Sequence, residues 1–322
     1  MENLKALTES LLFIKDNHKI HYDSIHAMHE LYASLTNIRA GNVTDENIRL
    51  ASGEAISPIE AAHCLLQTRR TVVFLRGIYD AIGQLKKYFP GEKINILYAG
   101  CGPYATLLTP FTSIFGPEEM GFYMLDISAV SLDSVRRLYA ALGADDFIKD
   151  IICADAATYT LAAGERVHMV ISETMQYALD KEPQVAIMMN LIPQMSGNTV
   201  FIPEEIVISA KLLNVKDETD SFLISGHQPE RMHLGDIFSI GRNDLNTPAQ
   251  VSIDIPKDTG RLKMLYLFTD ITVYRENKLG VYDCGLNLPF KIAEITEKKG
   301  KKITFRYEIS ESPGFRYEWV ES

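Results

Sequence analysis

Between Lys93 and Glu173, short apolar runs alternate with polar or helical stretches, and the runs lead into glycines or acids. Ile94-Leu97 leads into Gly100-Cys101-Gly102-Pro103 and Phe122-Leu125 into Asp126. Ile151-Cys153 leads towards Asp155, and Val167-Ile171 into Ser172-Glu173. Continuous apolar runs of this length suit strands covered on both faces. The stretch Ala129 to Leu142 carries helical spacing between two of them. The alternation predicts a parallel sheet with helices on its faces, an α/β fold.

The flanks differ. Roughly the first 90 residues read as helical: Ile25, Met28, Leu31, Tyr32 and Leu35 recur at helical spacing behind an N-cap at Asp23 or Ser24. Ala40-Gly41-Asn42 starts a loop that runs to about Ser57. Ser57-Pro58 then opens one long helix through Leu66, Arg70, Val73 and Ile78 towards Leu85, which stops before Pro90-Gly91. After Phe201-Ile202-Pro203, segments such as Glu205-Leu212, Leu262-Tyr274 and Lys302-Ile309 are rich in β-branched and aromatic residues. They predict a mainly antiparallel, barrel-like second half.

Composition narrows the partners. The 322 residues carry a formal net charge of -10, which repels phosphate backbones and argues against a nucleic-acid partner. The same charge suits a cationic small-molecule substrate, since acidic clefts concentrate cations. No run approaches the ~20 apolar residues of a membrane-spanning helix. The start, MENLKALTES, has no signal-peptide pattern. Cys64, Cys101, Cys153 and Cys284 are scattered, as expected of reduced thiols in a cytoplasmic protein. His18, His21, His26 and His29 lack ligand-like spacing and read as helix-face residues, so no metal site is expected.

Parallel sheets bind ligands at the carboxyl ends of their strands. Gly100 and Gly102 follow the first strand, where absent side chains admit a ligand to the backbone; a tight strand-to-helix turn explains them equally well. Asp126 ends the second strand, 26 residues after Gly100, near the offset at which an acid meets ribose hydroxyls. Asp126 or Ser128 could equally cap the next helix. Asp155 ends the third strand, placed to accept from an adenine amino group or to serve a turn. Acids or glycines at three consecutive strand ends point to a nucleoside-bearing cofactor. A dinucleotide wants a further glycine where Ala105 stands, after Pro103 and Tyr104, so a pyrophosphate is poorly accommodated.

The run Leu97-Tyr98-Ala99-Gly100-Cys101-Gly102-Pro103 instead resembles the first motif of class I methyltransferases. Over residues 57 to 205 the chain resembles the protein arginine methyltransferase family. His63-Cys64-Leu65-Leu66-Gln67-Thr68-Arg69-Arg70-Thr71 is similar to the family's pre-sheet helix. That likeness implies that Arg70 meets the carboxylate of S-adenosylmethionine. Ser172-Glu173-Thr174-Met175-Gln176-Tyr177-Ala178-Leu179-Asp180-Lys181-Glu182 is similar to the family's acidic hairpin. There two glutamates, nine residues apart as Glu173 and Glu182 are, clamp the substrate guanidinium. The resemblance implies a Rossmann-like cofactor domain over 91–203. A helical segment and cofactor lid over 1–90 would precede it, and a β-rich substrate domain over 204–322 would follow. Physical chemistry supports the glutamate pair independently, because two carboxylates can fix a guanidinium plane by charge-assisted, bidentate hydrogen bonds.

Departures shape the acceptor. Tyr104 replaces the family's third glycine and is expected to bring a ring near the methionine end of the cofactor. The family's Thr-His-Trp loop has no counterpart around Tyr282-Asp283-Cys284-Gly285-Leu286-Asn287-Leu288-Pro289. The C-terminal half shows no evident helical arm of the kind through which the family dimerises, although a homodimer remains compatible with the sequence. The resulting expectation is an S-adenosylmethionine-dependent N-methyltransferase acting on a guanidino or amino group of a small molecule, such as free arginine or a related metabolite. The alternatives are a protein arginine methyltransferase with a diverged substrate surface, an O- or C-methyltransferase, and a non-catalytic S-adenosylmethionine-binding protein.

Overall fold

Two helices, α1 (Glu2–Phe13) and α2 (His18–Thr36), open the chain in the computed structural model. The structure describes residues 2–39, 41–43, 46–162, 164–242 and 250–320; Ala40, expected at the start of a loop, lies outside them. Leu4, Leu11, Ile25, Met28 and Tyr32 are fully buried, so these helices belong to the core. The N-cap of α2 is Asn17, whose side chain accepts from Ile20 N–H, rather than Asp23 or Ser24. His21 falls on the buried face and bonds Ile14 O through Nε2 (2.7 Å).

The expected loop before Ser57 contains an antiparallel hairpin, β1 (Ile48–Leu50) and β2 (Gly53–Ala55). Ser57 then caps a short helix, α3 (Pro58–His63), by accepting from Glu60 N–H (3.2 Å). The single long helix expected here is broken. A 3-10 turn, Cys64–Leu66, intervenes, and Gln67 at ψ 82° leaves helical geometry before α4 (Thr68–Tyr88) begins. The Thr71 hydroxyl donates to Leu65 O (2.9 Å), satisfying a carbonyl near the break.

The parallel sheet follows: β3 (Ile94–Ala99), β4 (Met120–Asp126), α5 (Ala129–Leu142), β5 (Ile148–Cys153), β6 (Met169–Ser172), α6 (Gln184–Leu191) and β7 (Val200–Ile202). Strand order is β5-β4-β3-β6-β7, with all four pairings parallel. Every residue of β4 and β6 is buried, which is why these strands read as continuous apolar runs. The segment after β3 is a series of turns ending in the 3-10 helix Thr109–Ser113, not an α-helix. Order reverses at β3, whose neighbours are β4 and β6, and this opens a crevice beyond Ala99 and Ser172.

The parallel sheet ends at Ile202, a cis Ile202-Pro203 peptide follows, and antiparallel pairing starts at Glu205. The second half comprises β8 (Glu205–Leu213), α7 (Val215–Leu223), β9 (Arg231–Gly241), β10 (Val251–Asp254), β11 (Met264–Tyr274), β12 (Asn277–Leu279), β13 (Phe290–Glu294), β14 (Lys302–Glu308) and β15 (Gly314–Val320). One sheet runs β12-β11-β8-β9, with β13 also on β11; the other runs β10-β14-β15. Helix α7 lies within the half read as mainly antiparallel β and was not itself expected. The two halves meet along α4, where a Cβ added at Gly77 would sit 2.6 Å from Val273 Cγ1. That approach requires glycine. Among the described residues, no helix is long and apolar enough to cross a membrane.

Candidate active site

The crevice begins with the turn after β3. Gly100 and Gly102 adopt φ values of 73° and 63°, the left-handed region that favours glycine. A Cβ at Gly100 would lie 2.3 Å from Thr174 Cγ2, so this position also needs glycine for space. Gly102 N–H donates to Asp126 Oδ2 (2.8 Å), while Ser128 N–H donates to Asp126 Oδ1 (2.8 Å). One carboxylate therefore ties the glycine turn to the entrance of α5, whose N-cap is Ser128. Burial pushes the Asp126 carboxyl up, opposed by the N–H groups of Ser128, Gly102 and Ile127. Each Asp126 oxygen retains a lone pair for a further donor.

Asp155 follows β5, and its Oδ1 accepts from Ala157 N–H (2.8 Å). Tyr104 departs from expectation. It is fully buried in the helical layer, edge-on to Tyr32 (5.5 Å) and His29 (5.8 Å), with its hydroxyl 3.4 Å from Ile38 O. Burial pushes its phenol up to about 12. The aromatic partners on α2 hold the ring away from the crevice.

The acidic hairpin leaves β6 at Glu173 and reaches α6 just after Glu182. Ala178, Leu179 and Lys181 all have positive φ, at 53°, 55° and 65°. For residues with a Cβ, this costs about 1–2 kcal/mol each, so the surroundings must impose it. They do so through four partners. Thr269 Oγ1 on β11 accepts from Ala178 N–H (2.9 Å), and Tyr307 Oη on β14 donates to Leu179 O (2.7 Å). Lys181 N–H donates to Pro313 O (2.9 Å), and Glu54 N–H on β2 donates to Lys181 O (2.8 Å). Gln184 closes the base. Its Oε1 accepts from Thr174 N–H (2.9 Å), and its Nε2 donates to Ser172 O (3.0 Å).

Within this frame Arg70 Nη2 forms an ion pair with Glu173 Oε2, both side chains being under one-tenth exposed. Glu173 Oε1 is buried and has no hydrogen-bond partner. Burial pushes the Glu182 carboxyl up to about 7; the nearby acids Glu60 and Glu54 add to this, while the Gln176 side chain and Arg70 oppose it. A group with that value at neutral pH can hold or release a proton.

Arg70, Gly100, Asp126, Asp155, Glu173 and Glu182 line one cavity of about 660 Å³. Gly102 acts on its wall through Asp126, and Tyr104 is not among the lining residues. Glu54, Glu60, Gln67 and Gln176 also face the cavity. Gln67 and Gln176 fall inside the two stretches read as motifs but without a role assigned to them, and Glu54 and Glu60 belong to no motif visible in the sequence.

No protein-family model matches the chain, and no curated protein matches it. Among solved structures the chain is similar to one described as the Trypanosoma brucei PRMT1 enzyme-prozyme heterotetrameric complex with AdoHcy. The identity is 15%, the match covers 80% of this chain and 96% of that chain, and the TM-score is 0.49.

Proposed function

We propose that this chain is an S-adenosylmethionine-dependent N-methyltransferase whose acceptor is a guanidino or amino group on a small molecule, such as free arginine or a related metabolite. The observation that carries the proposal is a single cavity bordered by both the glycine turn with Asp126 and Asp155 and the pair Glu173 and Glu182. A cavity of about 660 Å³ lies within the range of sites for small molecules and cofactors.

The residues present fit the cofactor. Gly100 lines the cavity, and the room its missing Cβ leaves is taken by the Thr174 methyl. Asp126 keeps free lone pairs for ribose hydroxyls, and Asp155 can accept from the adenine amino group. Arg70 lines the cavity and would meet the cofactor carboxylate by giving up or sharing its contact with Glu173. When bound, S-adenosylmethionine supplies an electrophilic methyl group on a sulfonium.

The protein's own work is alignment and charge. Glu173 and Glu182 would hold the planar cation so that one nitrogen faces the methyl, and such positioning contributes much of the rate in a displacement. Carboxylates on one side of a guanidinium draw positive charge towards themselves and leave the far nitrogen more nucleophilic. Glu182, near 7, is suited to take up the proton that the guanidinium releases on methylation, through the N–H groups it contacts.

The small-acceptor reading rests on the wall at Gly285, Leu286 and Leu288, the stretch in which the family's Thr-His-Trp loop has no counterpart. The test is incubation of the protein and S-adenosylmethionine with a metabolite extract, followed by mass spectrometry for species gaining one methylene. The proposal expects a guanidino or amino compound among them. Labelling confined to macromolecules would move the reading to a protein acceptor, and no methylated product from any extract would reject catalysis.

A further inference from the structure

Gln67 occupies the break between the 3-10 turn and α4, and its side chain lines the cavity. Its Oε1 is buried without a hydrogen-bond partner. Glu173 Oε1 is in the same condition in the same cavity. Buried acceptors without donors are uncommon in folded proteins, and two that border one cavity call for a ligand that supplies donors.

Position links the two. Gln67 stands three residues before Arg70, and Gln67 O accepts from Thr71 N–H (3.0 Å), so the residues follow one helical turn. Arg70 in turn contacts Glu173. Across from Gln67, a Cβ at Gly285 would lie 3.3 Å from Oε1. The glycine therefore leaves the amide uncrowded at the wall.

The three acceptor groups of this wall are Glu173 Oε1, Glu182 and Gln67 Oε1. A primary amine, protonated near neutral pH, has three N–H donors, all on one nitrogen and none to spare against these three acceptors. An alkylguanidinium has five N–H groups in one plane and can meet all three with donors to spare. Resting on the methyl-transfer reading above, we propose that Gln67 is a specificity-determining residue that accepts an N–H from the acceptor guanidinium and so selects guanidines over amines.

Calorimetric titration of the full chain, saturated with S-adenosylhomocysteine, tests this with ethylguanidine and propylamine as probes. Gln67→Met keeps length while removing the acceptor oxygen; Gln67→Glu keeps an acceptor. The expectation is that Gln67→Met weakens ethylguanidine about tenfold or more, changes propylamine less than about twofold, and leaves S-adenosylhomocysteine affinity unchanged. Gln67→Glu retains the preference for ethylguanidine, which separates a lost contact from a disturbed fold. If Gln67→Met preserves the ethylguanidine-to-propylamine ratio, the assignment is overturned while the methyltransferase reading stands. Wild-type protein that ignores ethylguanidine also overturns it. Protein that binds ethylguanidine through Gln67 yet never binds S-adenosylhomocysteine supports the assignment and defeats the methyl-transfer reading.

Discussion

Arg70 and Glu173 form a buried ion pair that joins α4 to the end of β6, across the point where strand order reverses. Removing one member of such a pair leaves the other charge in a poor solvent. Arg70→Met is expected to cost about 3–5 kcal/mol in urea unfolding, and the double change Arg70→Met with Glu173→Gln should recover most of it. A single-variant loss under about 1 kcal/mol would show that the pair is solvated in practice.

The Glu182 carboxyl, pushed up to about 7 by burial, sets a pH dependence. If its carboxylate form serves transfer, activity falls as pH drops through about 7, and Glu182→Gln loses that limb along with most of the rate. Stability moves oppositely. A raised acid favours the folded state while protonated, so its contribution is full below the unfolded value of about 4.3 and is lost as pH rises through about 7. Denaturation of wild type and Glu182→Gln across this range should diverge by about 3 kcal/mol. Parallel curves would refute the shift.

Gln184 is a positioning residue for the hairpin. Gln184→Leu strands the Thr174 N–H and the Ser172 carbonyl, at a cost of about 2 kcal/mol or more. Its distinguishing signature is a fall in kcat with little change in S-adenosylhomocysteine affinity, because the glycine turn is not its direct partner. Gln184→Glu keeps the acceptor for Thr174 and should restore part of kcat. Equal losses in both measurements for both variants would reduce Gln184 to a core residue.

Gly100→Ala introduces a methyl group 2.3 Å from Thr174 Cγ2 at a φ of 73°. The backbone conformation alone costs about 1–2 kcal/mol. Binding of S-adenosylhomocysteine should drop sharply, and adding Thr174→Ser, which removes Cγ2, should return part of it. No recovery in the double variant would mean that backbone strain, not crowding, governs the site.

How much of this was legible in the sequence follows from which forces were local. The strands β3, β4 and β6 were visible because buried parallel strands are apolar throughout, and Ser128 to Leu142 carried both a cap and a period. Helix α7 was hidden because its buried residues include acids. Asp217 accepts from Glu230 N–H (2.7 Å), and Glu218 accepts from Arg231 Nε (2.6 Å) and Tyr282 Oη (2.7 Å). No apolar stripe marks it. The break at Gln67 left no punctuation, since the Thr71 hydroxyl that accommodates it looks like any helical threonine. Tyr104 was misplaced because its direction depends on Tyr32 and His29, more than 70 residues upstream. The glutamate spacing was readable, whereas the partners that hold the hairpin lie on β2, α6, β11, β14 and the turn before β15.

That dispersion bears on how the protein would fail on heating. The left-handed residues Ala178, Leu179 and Lys181 keep their conformation mainly through contacts with Thr269, Tyr307 and Pro313 in the C-terminal half, with Glu54 on β2 adding one bond to Lys181 O. The turn at Gly100 depends instead on β4 through Leu125 O and Asp126. Loosening of the antiparallel sheets would let the hairpin relax to ordinary backbone while the cofactor crevice stays formed. On the methyl-transfer reading proposed above, warming should therefore produce a window in which S-adenosylhomocysteine is still taken up but the grip on the acceptor is lost.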